Sequence, residues 1–261
     1  MPIMKSGLVQ YYSFDMFAEQ DIFQAVFTRL GGVSPAPWAE LNLGGTVGDD
    51  PHRVTANRKR ALEAMGRVEN TLFDVYQVHS SDVVIADAPR PAHIPHQRAD
   101  AILTNRPEVT LVMRFADCVP VLLHDPVRRV VGLVHAGWQG TVNKVVVEAI
   151  RTMVSHYKSN PMDIQAGIGP SIGPDHYQVG QDVIDRVRSA FRSDASELIL
   201  QHGGKIHFDL WRANELLLRQ EGVRSIEISG LCTACDLNHW FSHRAEKGKT
   251  GRFGALIALK S

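Results

Sequence analysis

The sequence has 261 residues, of which 44% are apolar and 21% charged, and its 28 Lys and Arg residues balance 28 Asp and Glu residues. This composition is typical of a globular protein, and one domain spanning residues 1–261 is expected. A neutral balance excludes the basic surface of nucleic-acid-binding and membrane-surface proteins, so neither nucleic acid nor membrane is an expected partner. Because residues 1–20 lack a signal-peptide pattern and no run approaches the ~18 apolar residues of a spanning helix, we expect a cytoplasmic location.

Short apolar runs of strand type recur along the chain with few helices between them. They lie at 24–28, 71–76, 83–86, 110–115, 119–123, 129–135, 164–168, 225–229 and 254–259. Apolar residues at helical spacing predict helices near 52–65, 142–154, 183–191 and 210–220. Gly66 and Gly222 are expected to end the first and the last of these helices. The expected fold class is α+β, a single domain of mixed, largely antiparallel sheets covered by a few helices.

The strands predicted at 119–123 and 129–135 flank Asp125-Pro126-Val127-Arg128, a sequence typical of a β-turn. If this turn closes a hairpin, the numbers of facing residues sum to 253. Cys118 would then face His135, with Cβ atoms roughly 4.5–5.5 Å apart.

Neighbouring Cys and His side chains have two chemical uses, as a thiolate–imidazolium nucleophile or as ligands of a soft-to-borderline metal ion. His79, at the end of another predicted strand, could supply a third ligand. Two His and one Cys would leave a tetrahedral ion one open position, as in catalytic zinc sites. Alternatively, Cys118 and His135 are core residues and His79 is an ordinary surface histidine.

A series of motifs resembles, in order, those of the YfiH-type family. They are QVHS (77–80), ADAILT (99–104), ADCVPVLL (116–123), HAGWQGT (135–141), IGPSIGP (168–174), CTAC (232–235), FSHR (241–244) and TGRFG (250–254). Members of this family have been called multicopper, laccase-like polyphenol oxidoreductases and peptidoglycan editing factors. They are now described as purine nucleoside phosphorylases with adenosine deaminase and methylthioadenosine phosphorylase activity.

The resemblance implies that His79, Cys118 and His135 hold a catalytic zinc, with copper as the other possible metal. It also implies that purine nucleosides and inorganic phosphate are the substrates. Asp117 and Asp100 are the nearest carboxylates in sequence, and either could orient a ligand histidine or transfer protons. We expect Asp117 to belong to the catalytic set.

Four residues, Arg29, Gly137, Thr141 and Arg244, are expected to bind substrate, and Arg252 is a further candidate. HAGWQGT leads from a strand towards a helix, so Thr141 is a candidate N-cap and Gly137 would let backbone N–H groups approach phosphate. Arg29 and Arg244 are candidate phosphate ligands, as is Arg252, because the guanidinium group matches phosphate oxygens.

The IGP segment weakens any claim of several copper sites. Family members often carry cysteines in the IGP segment, but this chain has other residues there, namely Ser171, Asp175 and His176. Cys232 and Cys235 form a C-x-x-C without a second pair, so a structural role is expected for them.

The sequence therefore predicts a zinc-dependent purine nucleoside phosphorylase acting on adenosine, inosine and methylthioadenosine, with adenosine deaminase activity. Three alternatives remain. A Cys-His hydrolase or amidase acting on peptidoglycan precursors would use the Cys118 thiolate with His135 and need no metal. A copper-dependent polyphenol oxidase would need more ligands. A non-enzymatic zinc-stabilised binding module is disfavoured, because structural zinc normally has four protein ligands.

Overall fold

A computed structural model describes residues 3–261. The strands are β1 (Ile3–Ser6), β2 (Val9–Tyr12), β3 (Ile22–Phe27), β4 (Leu72–Phe73), β5 (Val83–Ile85), β6 (Ala101–Thr104), β7 (Thr110–Phe115), β8 (Val119–Asp125), β9 (Val130–Ala136), β10 (Gln165–Ile168), β11 (Ile199–His202), β12 (Lys205–Phe208), β13 (Ser225–Ile228) and β14 (Phe253–Leu259). The α-helices are α1 (Pro51–Ala64), α2 (Trp138–Val142), α3 (Val145–Tyr157), α4 (Gln181–Phe191), α5 (Ala195–Leu198) and α6 (Leu210–Gln220).

Most strands belong to two six-stranded sheets. The first has the order β1-β2-β3-β14-β7-β4 and the second has the order β13-β10-β8-β9-β6-β5, while β11 and β12 form a separate hairpin. Neighbouring strands run antiparallel except for the parallel pairs β4–β7, β5–β6 and β10–β13. The expected single α+β domain with mixed, largely antiparallel sheets is therefore confirmed.

The two sheets pack face to face, and helices cover their outer faces. Leu111 of β7, Ile257 of β14 and Leu133 of β9 share one apolar core between the sheets. On the other side of the second sheet, α3, α4 and α6 form a second core, while α1 covers the first sheet. The layers are therefore helix, sheet, sheet and helices, which buries both faces of the central strands.

The central strands β8 and β9 position the site. Every residue of both strands is buried, which explains their nearly continuous apolar sequence. Because side chains alternate along a strand, Val134 faces the helices whereas Leu133 and His135 face the first sheet. The His135 ring lies 5.3 Å from the Phe115 ring of β7, centroid to centroid. His135 therefore lies between the two sheets, at the end of β9.

The register predicted for the β8–β9 hairpin is wrong by two residues. Pro120, not Cys118, is the partner of His135, so the numbers of facing residues sum to 255. The connection is longer than assumed, because Asp125 accepts hydrogen bonds from the Val127 and Arg128 amides and pairing begins only at Val130. A shift of two preserves the face of each side chain, so residues 118 and 135 stay on the same side.

Three predicted helices are found with small shifts in their ends, and the fourth differs in detail. Gly66 and Gly222 adopt positive φ values just beyond α1 and α6, as expected. The helix predicted at 142–154 is α3, which begins three residues later, at Val145; the short helix α2 precedes it, and Lys144 between them is in the left-handed conformation. Within residues 3–261, no helix combines the length and the apolar character needed to cross a bilayer.

Candidate active site

A cleft of about 620 Å³ opens at the end of β8 and β9. His79, Cys118 and His135 contribute to one part of its wall. Cationic and polar side chains line other parts, among them Arg58, Arg114, Arg252, His96, His243 and Gln77. The cleft therefore combines potential metal ligands with groups able to bind an anion.

His79, Cys118 and His135 form a compact group that we call the cleft cluster. Each offers one ligand atom, and these atoms all lie within 4.8 Å of one another. The His79 and His135 ring centroids are 5.0 Å apart. His135 is buried, Cys118 is half-buried and His79 is exposed, so the cluster is open on one side. The arrangement suits a metal ion with three protein ligands and one open coordination position.

Loops with unusual backbone conformations present two of these side chains. His79 has φ 60°, and Asp117, immediately before Cys118, has φ 80°. Residues other than glycine pay a cost of order 1–3 kcal/mol to occupy this region, and such residues concentrate at functional sites. Surrounding hydrogen bonds must therefore hold both loops in place.

The buried carboxylate of Asp100 holds both histidines. Its Oδ1 lies 2.8 Å from His135 Nδ1, and its Oδ2 accepts hydrogen bonds from the Val78 amide at 3.1 Å and the Ser80 amide at 2.6 Å, on either side of His79. Burial raises the pKa of Asp100, but these hydrogen bonds lower it by more, so the group is ionised. An ionised Asp100 makes His135 Nδ1 the protonated nitrogen, which leaves Nε2 free to bind a metal.

The two histidines of the cleft cluster differ in basicity. Burial lowers the pKa of His79, and the neighbouring His135 lowers it further. Burial also lowers the pKa of His135, but Cys118 and Asp100 outweigh it and raise the value to about 9. Because a histidine ligand must be neutral, a metal ion entering this cluster would displace a proton from His135.

Asp117 points away from the cleft cluster. Its Oδ1 accepts a hydrogen bond of 2.7 Å from Thr233 Oγ1, and its Oδ2 accepts one of 2.6 Å from the Arg244 amide. Its own carbonyl oxygen accepts the Ile172 amide at 3.0 Å. Asp117 thus joins three loops and positions the neighbouring Cys118.

A family model described as "Multi-copper polyphenol oxidoreductase laccase" matches residues 23–260 of the chain. The chain belongs to the YfiH/YlmD family. A Deinococcus radiodurans relative named purine nucleoside phosphorylase is 39% identical over 236 residues, covering 90% of this chain and 88% of the relative. The Escherichia coli relative, named purine nucleoside phosphorylase YfiH, is 37% identical over 89% of this chain and 91% of its own. The crystal structure of YlmD from Geobacillus stearothermophilus has a TM-score of 0.92 and 31% identity, covering 99% and 98% of the two chains.

Within this YfiH/YlmD-family fold, Gly137 lies directly against the cleft cluster. A Cβ atom at this position would lie 2.9 Å from both Cys118 Sγ and His79 Nδ1. Gly137 is also the N-cap residue of α2, and Lys144 is that of α3, so the N-cap role expected for Thr141 was wrong. Thr141 is instead fully buried inside α2, where Asn214 donates a hydrogen bond to its hydroxyl group. Gly137 therefore meets the site directly, whereas Thr141 lies behind it.

The side chains of Arg29 and Arg244 are bound to protein groups outside the cleft lining. Arg29 donates to the Ala39 carbonyl oxygen at 2.7 Å and forms an ion pair of 3.1 Å with Glu246. Arg244 donates to the Gln178 carbonyl oxygen at 2.7 Å. Both arginines fasten loops around the site.

Arg58 was not identified from the sequence, because it lies on α1 and nothing in its local sequence marks it. Its Nε donates to the Leu43 carbonyl oxygen at 3.0 Å. Among residues 3–261, neither of its terminal nitrogens donates a hydrogen bond to the protein. Burial lowers the pKa of Arg58 to about 10, with Arg114 adding to the effect. Arg58 thus presents free donors to the cleft.

Asp74 organises the neighbouring cationic wall. It forms ion pairs of 2.7 Å with both Arg90 and Arg114 and lies 3.0 Å from His96 Nε2. Burial raises the pKa of Asp74, but the arginines lower it to about 2. The terminal nitrogens of Arg114 are committed to Asp74 and to the Val75 carbonyl oxygen, in contrast to those of Arg58.

Proposed function

We propose that this protein is a zinc-dependent purine nucleoside phosphorylase, acting on adenosine, inosine and methylthioadenosine, with adenosine deaminase activity. The names of its relatives, purine nucleoside phosphorylases, support the phosphorylase reaction. The observation that carries the proposal is the open cleft cluster in one cleft with a half-buried arginine that has free donors. The family model's description names several copper ions, whereas the cleft contains one three-residue ligand set.

The cleft cluster fits a zinc ion in three respects. Its donor set of two imidazoles and one thiol is one that zinc accepts, its ligand atoms lie close together, and Gly137 leaves space that a Cβ would fill. His79, Cys118 and His135 would hold the ion, and Asp100 would orient both histidines. When bound, zinc would supply a Lewis acid able to lower the pKa of water in the cleft.

Phosphorolysis requires a positioned phosphate. One phosphate oxygen forms a bond to the anomeric carbon of ribose while the glycosidic bond breaks, which yields ribose 1-phosphate and the free base. We assign phosphate binding to Arg58, with Arg252 as a second cation in the cleft lining. A half-buried guanidinium group with unused donors interacts more strongly with an anion than a fully solvated one does.

The four residues expected to bind substrate have two different roles in this proposal. Gly137 stays at the reaction site, because its backbone borders the cleft cluster. Arg29, Thr141 and Arg244 act as positioning residues, since their side chains hold loops and helices around the cleft. Asp117 also acts by positioning, through its hydrogen bonds to two loops. A reducing cytoplasmic location is part of the proposal, because it would keep the three cysteines as free thiols.

The test is a nucleoside panel on the purified protein, with and without inorganic phosphate. We expect free base and ribose 1-phosphate only with phosphate present, and slow conversion of adenosine to inosine without it. Arg58→Ala should raise the KM for phosphate at least tenfold while sparing deamination. Arg53→Ala removes an exposed arginine from the same helix and should leave both activities intact.

Other outcomes would favour the alternatives. Release of free base without phosphate would mean hydrolysis. An active metal-free protein with no turnover of nucleosides would favour a Cys118-based hydrolase, and oxygen uptake with a phenol would favour an oxidase. Any of these results would overturn the phosphorylase proposal.

A further inference from the structure

A second group of metal-ligating side chains lies outside the cleft lining. Asp175 and His176 follow β10, and Cys232 and Cys235 follow β13; we call these four residues the outer cluster. Each offers one ligand atom, and the four atoms all lie within 4.8 Å of one another. Cys232 is half-buried and the other three residues are exposed. None of the four belongs to the lining of the cleft.

The distances within the outer cluster fit a tetrahedral ion. His176 Nδ1 lies 3.8 Å from Cys232 Sγ, 3.5 Å from Cys235 Sγ and 3.1 Å from Asp175 Oδ1. With Zn–S bonds of ~2.3 Å and Zn–N or Zn–O bonds of ~2.0–2.1 Å, tetrahedral angles place such ligand atoms about 3.3–3.8 Å apart. The two thiols and the imidazole therefore already occupy ligand positions.

Hydrogen bonding alone does not account for this convergence. A single ring nitrogen can make one good hydrogen bond, yet three atoms from Asp175, Cys232 and Cys235 approach His176 Nδ1. The Gly173 amide donates to Cys232 Sγ at 3.1 Å, a contact of the kind that orients metal ligands. A metal ion at the centre would satisfy all three atoms at once.

Gly173 also allows the close approach of the two segments. A Cβ atom there would lie 2.8 Å from Asp175 Oδ1 and 3.2 Å from Cys232 Sγ. Only a residue without a side chain leaves this space open. The local backbone is therefore compatible with the ligand arrangement in a way that most residues would prevent.

We propose that the outer cluster binds a second zinc ion as a closed site with four protein ligands. Two thiolates, one imidazole and one carboxylate complete a tetrahedron and leave no position for substrate, in contrast to the open cleft cluster. Asp175 and His176, which lie more than fifty residues earlier in the sequence, thus supply the two ligands that the C-x-x-C lacks.

This ion would fasten together the loops that position Cys118. The Thr233 amide donates to the Ser171 carbonyl oxygen at 3.0 Å, and the Thr233 hydroxyl donates to Asp117. The Ile172 amide also contacts Asp117, through its carbonyl oxygen. Because Asp117 immediately precedes Cys118, zinc in the outer cluster would stabilise one of the three loops of the active site.

The first test is the zinc content of the full-length protein after dialysis against a weak chelator. We expect about two zinc ions per chain in the wild type and one in Cys232→Ser/Cys235→Ser. His79→Ala should also retain one ion, held by the outer cluster. Equal zinc in the wild type and in the double-serine variant would overturn the proposal, as would loss of two thiols to a disulfide in the wild type.

A second, milder variant tests the proposal even if the double-serine protein does not fold. His176 is exposed, so His176→Ala should fold while losing the same zinc ion. The neighbouring exposed residue Gln178 provides the control Gln178→Ala, which should keep both ions. In the cobalt(II)-loaded proteins, thiolate-to-cobalt absorption should fall in His176→Ala and stay unchanged in Gln178→Ala. Unchanged absorption in His176→Ala would contradict the assignment.

Discussion

Asp100→Asn should disable the cleft cluster whichever way the new amide turns. If the amide nitrogen faces His135, it donates to Nδ1 and forces the proton onto Nε2, the nitrogen needed for metal binding. If it faces the Ser80 amide instead, two donors meet across a gap that is now 2.6 Å. In that case the loop carrying His79 must move. One of the two histidine ligands is lost in either orientation.

The expected magnitude follows from the role of Asp100. Removing an outer hydrogen-bond partner of a metal ligand typically lowers affinity 10–100-fold. Asp100 supports two ligands at once, so we expect zinc affinity to fall by about 100-fold, equivalent to about 2.7 kcal/mol. A buried donor left without an acceptor should also lower the free energy of unfolding by roughly 1–3 kcal/mol.

The assay is competition for zinc between the protein and a chromophoric chelator, at fixed pH and ionic strength. Asp82→Asn is the matched control: it makes the same change of charge at a nearby exposed residue. The Asp82 carbonyl oxygen accepts the Asp100 amide, and this backbone contact is unaffected by the substitution. Wild-type zinc affinity in Asp100→Asn would refute the reasoning. An equal loss of zinc affinity in Asp82→Asn would show that the change in net charge, not the hydrogen bonds of Asp100, is responsible.

Two further predictions concern packing and pH. Gly137→Ala should weaken zinc binding in the cleft and abolish most activity, because its Cβ would lie 2.9 Å from Cys118 Sγ and His79 Nδ1. The control is Gly140→Ala, whose Cβ would meet no atom nearer than 3.3 Å and which should keep both zinc binding and activity. Asp74→Asn should lower the free energy of unfolding at pH 7 by about 2 kcal/mol, because the native pKa of Asp74 lies well below its unfolded value. That stabilisation is complete above about pH 4 and is lost as the pH falls towards 2, so denaturation curves of the two proteins should converge over this range. Parallel curves from pH 7 to pH 2 would contradict the ion-pair account.

Much of the fold could be predicted because local pattern and burial agree. The runs at 110–115 and 254–259 are the central strands β7 and β14, and residues 210–220 form α6 with both ends as expected. The strands β1, β2, β6, β11 and β12 were missed. Most side chains of β1, β2, β11 and β12 are exposed or only partly buried, so no apolar run marks them. Strand β6 is fully buried, but its apolar run, Ala101–Leu103, has only three residues. Where the core does not demand an apolar sequence, pairing with a neighbouring strand decides the structure.

The predicted ligand residues come together despite a wrong register. The turn after Asp125 is two residues longer than its sequence suggested, because the Asp125 side chain caps the following amides. A register shift of two residues leaves each side chain on the same face of the sheet, so the error did not separate Cys118 and His135.

The sequence by itself determined the chemical inventory of this protein: its layers of strands and helices, the Cys and His residues able to hold a metal, and the glycines beside them. Only the tertiary structure decided which residues, distant in sequence, contact these ligands and complete the sites. In the folded protein, Asp100 supports both histidines, and Asp117 instead accepts a hydrogen bond from Thr233. Arg58 lines the cleft, and Cys232 lies next to His176. Local pattern reports burial, whereas the partner of a carboxylate or an arginine depends on how remote segments pack, and no short stretch of sequence records that.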